Sequence, residues 1–360
     1  MNLKSTVLLV CVAVIVTACG EAEETPGDAV DTTSRQSQGA PARGDRFGRA
    51  AVWAIINEPD PDLGNFKFAR VSRFDPDLAT RQATIAAESD PNERQTNINP
   101  NWMAVCGDNL YVTSYGGNSI EAIDLQSLEV TGRRSGDLAD VACVGGDVWA
   151  LDTSEMAAIR LSADVSNVEA TVPFGPPPPS RMLAQGGQLW VIDMFSGVYR
   201  IDTAAEQAQE IRIRDDGRAY NLIGIAVVND KVWVVGQAGP EKALLQVDAA
   251  SGAVHRRVAL AEGSEIGFLL GNKAKLLGAF GGVFIASPDG NGLVRLNPET
   301  GEVACTAPIE GAVTALAAGP DAVVVGTSEP GGLHEISPAD CAVTASVALE
   351  GAVKAIAVSR

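Results

Sequence analysis

The sequence predicts an all-β fold, a seven-bladed β-propeller closed by pairing of its C-terminal strand with the first blade. A pattern of short strands and turns recurs about every forty residues, which is typical of propeller blades. The first repeat lacks an inner strand, and the last inner strand, VKAIAV at 353–358, has no repeat of its own. Pairing of 353–358 with AVWAII at 51–56 would close the ring and remove both unpaired sheet edges.

The repeat unit is clearest in residues 110–132, LYVTSYGGNSIEAIDLQSLEVTG. Two alternating, β-rich runs flank a Gly-Gly-Asn turn, and a third run follows a polar break. The same pattern recurs as DVWALD at 147–152, QLWVID at 188–193, KVWVVG at 231–236, GVFIAS at 282–287 and AVVVGT at 322–327. One twisted four-stranded sheet cannot bury both faces alone, so the repeats are expected to stack around an axis. The alternative, an open pair of β-sheets, does not explain the regular spacing.

Residues 110–132 resemble the YVTN-type repeat of β-propellers. Tyr111-Val112-Thr113, then Asn118, then Ile123-Asp124 follow that family's order. The resemblance implies a propeller fold, and only this copy of the repeat carries it closely.

The N-terminal segment indicates export. Residues 1–18 contain one cation, Lys4, and an apolar run too short to span a bilayer, which is typical of a signal peptide. The end of this run, VTAC at 16–19, resembles the bacterial lipobox, which implies cleavage before Cys19 and lipidation of its sulfur. An ordinary signal peptide with an incidental cysteine is the alternative. Gly20 rather than Asp follows the cysteine, so we expect a lipid anchor in the outer membrane, facing the periplasm.

Composition divides the rest of the chain. Residues 19–46 are rich in Gly, Pro, Ser and acids and cannot bury enough apolar surface to fold, so they are predicted to be the acylated cysteine and a disordered linker. The propeller is predicted to occupy residues 47–360. The formal net charge of −18, with no basic stripe, argues against a nucleic-acid partner. The expected partner is an unidentified protein or small molecule.

Four cysteines remain for the propeller, an even number that favours disulfides in an oxidising compartment. Cys106 and Cys143 end the inner strands of neighbouring blades, near the axis, and are therefore predicted to pair. By elimination, Cys305 is predicted to pair with Cys341.

The predicted functional face is the rim that carries the long connections between strands. These connections lie at 57–66, 87–101, 173–181, 214–221 and 261–275, whereas the opposite rim receives short hairpin turns. Long loops on a rigid scaffold carry function more often than short ones do. Polar and aromatic side chains predicted to line the centre of this rim as ligand-binding residues are Asn101, Trp102, Asp140, Asp152, Arg181, Asp193, Tyr220 and Asn221.

Two functions are compatible with these residues. The first is a binding or scaffold module without catalysis and without a cofactor. The alternative is a Ca²⁺-dependent hydrolase, because Asp152 and Asp193 in adjacent blades resemble the arrangement of acidic metal ligands in gluconolactonase-like propellers. A streptogramin-lyase-like mechanism would need a histidine base at the channel mouth, and His255 and His334 are predicted to lie elsewhere. No nucleophile is evident, so binding is the preferred function.

Lipid anchoring is tested by replacing Cys19→Ala. The variant should remain an unprocessed or mislocalised precursor and should not incorporate labelled palmitate, because the acylated sulfur is gone. Cys11→Ala, within the predicted signal segment, is the matched control and should label normally. Labelling of the Cys19→Ala protein at the wild-type level would contradict the lipoprotein prediction.

Overall fold

The computed structural model describes residues 51–59, 67–85, 99–115, 118–193, 195, 197–260, 276–286 and 292–359. These residues belong to one compact unit, Asp45–Arg360. The predicted signal peptide, Cys19, the predicted linker and most of the connections at 57–66, 87–101 and 261–275 lie outside the described residues. In the described part of the chain, no helix is long and apolar enough to cross a membrane.

The regular elements are β-strands, formed by the alternating and β-branched runs identified in the sequence. In chain order they are β1 (Ala51–Pro59), β2 (Lys67–Phe74), β3 (Arg81–Ile85), β4 (Asn99–Cys106), β5 (Asn109–Tyr115), β6 (Ser119–Asp124), β7 (Val130–Ser135), β8 (Leu138–Val144), β9 (Asp147–Asp152), β10 (Ala157–Leu161), β11 (Val168–Pro173), β12 (Pro179–Gln185), β13 (Gln188–Asp193), β14 (Gly197–Asp202), β15 (Gln207–Arg212), β16 (Asn221–Val228), β17 (Lys231–Ala238), β18 (Glu241–Val247), β19 (Val254–Leu260), β20 (Leu276–Ala279), β21 (Gly282–Ala286), β22 (Leu293–Leu296), β23 (Val303–Ala307), β24 (Ala312–Ala318), β25 (Val323–Ser328), β26 (Gly331–Ile336), β27 (Val343–Leu349) and β28 (Ala352–Ser359).

These strands form seven four-stranded antiparallel sheets, which confirms the predicted seven-bladed β-propeller. Six blades are built from four consecutive strands, beginning with β4–β7 as blade two. Blade one has the order β28-β1-β2-β3, so the C-terminal strand supplies its inner edge. The pairs run from Ala51 with Ser359 to Asn57 with Ala352, which confirms the predicted ring closure.

The core consists of seven apolar clusters, one between each pair of neighbouring blades. An aromatic side chain stands at the third position of the second strand in six blades. These side chains are Trp53, Tyr111, Trp149, Trp190, Trp233 and Phe284, and each is at most 4% exposed. The interblade packing predicted for Trp149, Trp190 and Trp233 is therefore confirmed, and it follows from a repeat that extends around most of the ring.

Arginine side chains cover several of these rings from the third strand of the same blade. The guanidinium carbon of Arg73 lies 5.6 Å from the Trp53 ring centroid, and that of Arg160 lies 6.0 Å from Trp149. Each pair lies directly opposite in the strand register, where side chains on one face of a sheet meet. The arginines at these positions therefore pack on the core through cation–π contacts.

Both predicted disulfides are present, and each joins neighbouring blades. Cys106 of β4 is bonded to Cys143 of β8 with a Cα–Cα distance of 5.3 Å. Cys305 of β23 is bonded to Cys341 with a Cα–Cα distance of 5.8 Å. Outer strands of adjacent blades diverge, but Cys341 lies in the turn before β27 rather than on the strand, which brings the two backbones close enough to bond.

Ring closure is tested by deleting residues 352–360. The deletion removes the partner of β1 and the buried side chain of Val353, so it exposes sheet edges and opens the apolar contact between the last blade and blade one. Loss of two or three buried aliphatic side chains alone should cost several kcal/mol, at about 1.5–3 kcal/mol each. We expect aggregation or rapid proteolysis, measured by light scattering and limited trypsin digestion.

The matched control is a deletion of the same length within the predicted linker, residues 22–30. That variant should melt like the wild-type protein. Wild-type melting of the 352–360 deletion would show that β28 is dispensable for closure.

Candidate functional site

The innermost strands of the seven blades surround a central channel. They contact one another in a closed circuit, β28, β4, β8, β12, β16, β20 and β24. The channel contains a cavity of about 160 Å³, lined by residues from six of these strands. This volume lies below the range of sites for drug-sized ligands, about 300–1,000 Å³, so it suits a smaller ligand.

Each end of the channel has a different set of connections. The long-loop rim is defined by the connections from the fourth strand of one blade to the first strand of the next, such as 174–178 and 213–220. The short-turn rim is defined by the hairpins between first and second strands, such as Gly107-Asp108. The innermost strands start at the long-loop rim and end at the short-turn rim.

A β-bulge recurs near the start of six innermost strands, at equivalent positions of the repeat. The residues left without a cross-strand partner at the bulges are Asn101, Ala139, Ser180, Ile223, Thr314 and Lys354. The corresponding part of the seventh blade precedes Leu276 and lies outside the described residues. A bulge bends a strand and changes the direction of its side chains. The bulges therefore define one layer of the channel mouth.

Three of the predicted site residues come together in the layer that follows the bulges. Trp102, Asp140 and Arg181 occupy the same repeat position in three successive blades. The guanidinium carbon of Arg181 lies 4.1 Å from the Trp102 ring centroid, and Nη1 of Arg181 lies 3.5 Å from Oδ2 of Asp140. All three line the channel cavity. The structure therefore places an indole, a carboxylate and a guanidinium in contact at the channel mouth.

The Asp140 carboxylate is held rigidly by backbone amides. Its Oδ1 accepts a hydrogen bond from the Val141 amide at 3.0 Å, and its Oδ2 accepts one from the Met182 amide of the next blade at 2.9 Å. The side chain is only 4% exposed. Burial lowers the pKa of the Arg181 guanidinium, and the charge of Asp140 opposes that shift. Asp140 thus both connects two blades and partly neutralises Arg181.

Lys354 is a functional candidate that the sequence analysis missed. It is the bulge residue of β28 and lines the same cavity, where burial lowers the pKa of its ammonium group. Its place could have been found by aligning VKAIAV with the other inner strands, since Lys354 then falls at the position of Asn101. Below the polar layer, the cavity is lined by apolar side chains that include Met103, Leu183 and Leu316.

Asp152 ends β9 on the long-loop rim, as predicted, but its carboxylate serves its own turn. Oδ1 accepts hydrogen bonds from the amides of Ser154 and Glu155, both at 3.0 Å, and from the Ser154 hydroxyl at 2.7 Å. Asp124, which ends β6, accepts the two corresponding amide hydrogen bonds in its turn. Aspartates commonly satisfy turns in this way, so Asp152 has the geometry of a turn cap.

Asp193 ends β13 and is fully buried. Its Oδ1 accepts hydrogen bonds from the amides of Phe195 (2.6 Å) and Gly197 (2.9 Å), and the Tyr199 hydroxyl donates to Oδ2 at 3.3 Å. A Cβ atom at Gly197 would lie 2.1 Å from Oδ2, so glycine is required for this close approach. Burial raises the pKa of Asp193, and burial together with the Asp193 charge raises the pKa of Tyr199 to about 12.

The remaining predicted site residues are separated. Tyr220 lies in the apolar cluster between blades four and five, with its hydroxyl donating to Asp215, rather than in the cavity lining. Asn221 is the first residue of β16, and Asn101 is the bulge residue of β4. His255 lies on the outermost strand β19 and His334 on the third strand β26, as predicted. Within the described ranges, no group of three or more His, Cys, Asp or Glu side chains is placed to hold a metal ion.

Fold and site together define a seven-bladed β-propeller with a cluster of polar side chains at one mouth of its central channel. No family model matches the chain, and no curated protein matches it either. The resemblance to YVTN repeats therefore stays a prediction.

Solved structures of other propellers are similar at low identity. Virginiamycin B lyase from Staphylococcus aureus is 14% identical, with a TM-score of 0.51 over 69% of this chain and 83% of that chain. BamB from Moraxella catarrhalis is 11% identical, with a TM-score of 0.50 over 73% of this chain and 78% of that one. Dihydro-heme d1 dehydrogenase NirN is 12% identical, with a TM-score of 0.56 over 86% of this chain and 66% of that one. At such identities the similarity shows the fold alone.

The roles of Asp152 and Asp193 are tested by replacing each with asparagine. Asp152→Asn should change the free energy of unfolding by less than about 0.5 kcal/mol, because the amide oxygen can accept the same hydrogen bonds. Asp193→Asn should be at least as stable as wild type at pH 7, because it removes a charge that burial disfavours. Since the folded-state pKa of Asp193 is raised, this advantage should disappear below the unfolded pKa of about 3.9. Denaturant unfolding at pH 7 and at a pH below about 3.9 measures the difference in free energy of unfolding between Asp193→Asn and the wild-type protein.

Calcium titration of the same proteins separates the two interpretations of these carboxylates. We expect no change in melting temperature on adding calcium to the wild-type protein. A calcium-dependent rise that is lost in the double variant would instead make these aspartates metal ligands.

Proposed function

We propose that this chain is a lipid-anchored binding module of the cell envelope that binds its ligand through the long-loop rim, at the channel mouth. The observation that carries this proposal is the convergence of Trp102, Asp140 and Arg181 from three successive blades. An aromatic face and a few fixed polar groups that converge at the opening of a cavity are typical of ligand sites. The lipobox-like sequence VTAC at 16–19 supports the lipid anchor, and Gly20 supports a location at the outer membrane, facing the periplasm.

The rigidity of the site favours binding. Asp140 is fixed by two backbone amides, and Arg181 is held between this carboxylate and the Trp102 ring. Side chains that are already ordered lose little further conformational freedom when a ligand binds. A site of this kind can recognise a ligand by its shape and charge without catalysing a reaction.

Catalysis has less support from the described residues. The propeller fold occurs in proteins named as a lyase and a dehydrogenase, so the fold is compatible with enzymes. However, His255 lies on the outermost strand β19 and His334 on the third strand β26, away from the described cavity lining. The carboxylates of Asp152 and Asp193 accept hydrogen bonds from their own turns. The calcium-dependent hydrolase therefore remains the less favoured alternative.

Photo-crosslinking in intact cells tests which rim binds. A photoreactive amino acid replaces Ser154, which is exposed on the long-loop rim, or Asn229, which is exposed on the short-turn rim and serves as the matched control. The intact mass of the purified protein then reveals adducts of any size, whether small molecules or proteins. We expect specific adducts at position 154 and not at position 229. Equal labelling at both positions, or at neither, would contradict binding through the long-loop rim.

A further inference from the structure

Two of the three charged residues described around the channel mouth are cationic, although the whole chain is acidic. The chain carries a formal net charge of −18, yet the charged residues among those described around the cavity are Arg181, Lys354 and a single carboxylate, Asp140. Charges more than about 8 Å apart are largely screened at physiological salt, so these local groups dominate the attraction felt by a ligand inside the mouth. Two cations and one carboxylate among the described residues are therefore the charges nearest to a ligand in the mouth.

Arg181 retains hydrogen-bonding capacity. Its Nη1 is buried and has no hydrogen-bond partner among the described residues. Asp140 is the nearby anion, but its 3.5 Å separation from Nη1 exceeds ordinary hydrogen-bond length, and both of its oxygens already accept backbone amides. A buried donor left without an acceptor is destabilising, because it has lost its hydrogen bonds to water. An acceptor from a ligand would remove this destabilisation.

The stacking of Arg181 on Trp102 restricts how such an acceptor can approach. The five N–H groups of a guanidinium lie in its plane, and the indole ring covers one face at 4.1 Å. Acceptors must therefore approach along the guanidinium edge, which matches the planar geometry of a carboxylate. Lys354, on the bulge of β28, adds positive charge to the same cavity without imposing a planar geometry.

Apolar side chains form part of the cavity wall next to the charges. Met103, Met182, Leu183, Leu316 and Ile356 are among the lining residues. A bare inorganic anion would leave the exposed parts of these side chains in contact with water, whereas the hydrocarbon part of an organic acid would cover them.

We propose that the channel mouth binds a small organic monoanion, with its carboxylate on Arg181 and Lys354 and its apolar part against the methionine and leucine side chains below. This inference rests on the proposed binding function and specifies its ligand class. One carboxylate supplies the acceptor that Arg181 Nη1 lacks among the described residues.

Isothermal titration calorimetry on the full chain tests this ligand class. The probes are butyrate, its neutral analogue butyramide, the cation butylammonium and inorganic phosphate. We expect saturable binding of butyrate at one site per chain, and binding at least about tenfold weaker for the other three probes, because a hydrogen bond to a charged group contributes about 1.5–3 kcal/mol.

Variants locate the binding site. Arg181→Gln should weaken butyrate binding at least about tenfold, and Lys354→Gln should weaken it about threefold through the loss of charge. Arg256→Gln is the matched control, since Arg256 is exposed on the outermost strand β19, and its affinity for butyrate should be unchanged. If Arg181→Gln does not fold, because the buried charge of Asp140 is no longer compensated, the affinity of Lys354→Gln for butyrate still tests the site.

Several results would overturn the proposal. These are equal binding of butyrate and butyramide, preferential binding of phosphate, equal weakening by Arg256→Gln, or no binding of butyrate. In each case, photo-crosslinking from position 154 shows independently whether the long-loop rim binds another ligand. Adducts at position 154 would support the proposed binding function even though the ligand class is wrong. The absence of adducts would contradict both the binding function and the ligand class.

Discussion

Each blade of this propeller is a four-stranded sheet with two apolar faces, and it can bury them only against its two neighbours. Seven blades therefore depend on a complete ring, because an opening at any interface would expose an apolar cluster on both sides. The junction between the last blade and blade one is made by β28, which pairs with β1 and contributes Val353 and Ile356 to the cluster at that interface. The four-stranded blade one exists only because the two ends of the propeller sequence meet there.

The same closure builds the channel mouth. Lys354 reaches the cavity because β28 has joined blade one as its innermost strand, next to β4 with Trp102. The cavity thus combines residues from both ends of the propeller sequence. The recurrent bulges then give one polar layer near the starts of the inner strands. Disulfides and buried aromatic side chains stabilise the interfaces between the blades that surround the mouth.

Sequence periodicity was sufficient for the architecture because it reflects burial that repeats in every blade. DVWALD and QLWVID were placed correctly as β9 and β13. The ends of neighbouring inner strands predicted the first disulfide, and elimination predicted the second. The sequence could place Trp102, Asp140 and Arg181 in the same site, because they occupy equivalent positions of the repeat in three successive blades. The sequence could not distinguish Asp140 from Asp152, because both lie near strand ends and only hydrogen bonding separates a channel carboxylate from a turn cap. Lys354 was missed because its role depends on a bulge, which alternation of side chains does not reveal.

The strand that closes the ring also determines where the chain enters and leaves the propeller. Ala51 and Ser359 pair with each other at the short-turn rim, because β28 ends and β1 begins there. Both termini of the propeller therefore emerge on the side opposite the channel mouth. Fusion of a fluorescent protein, an affinity tag or a surface linker at either terminus should leave the mouth unobstructed. The molecule can be immobilised or displayed by its ends without masking the face that we propose for binding.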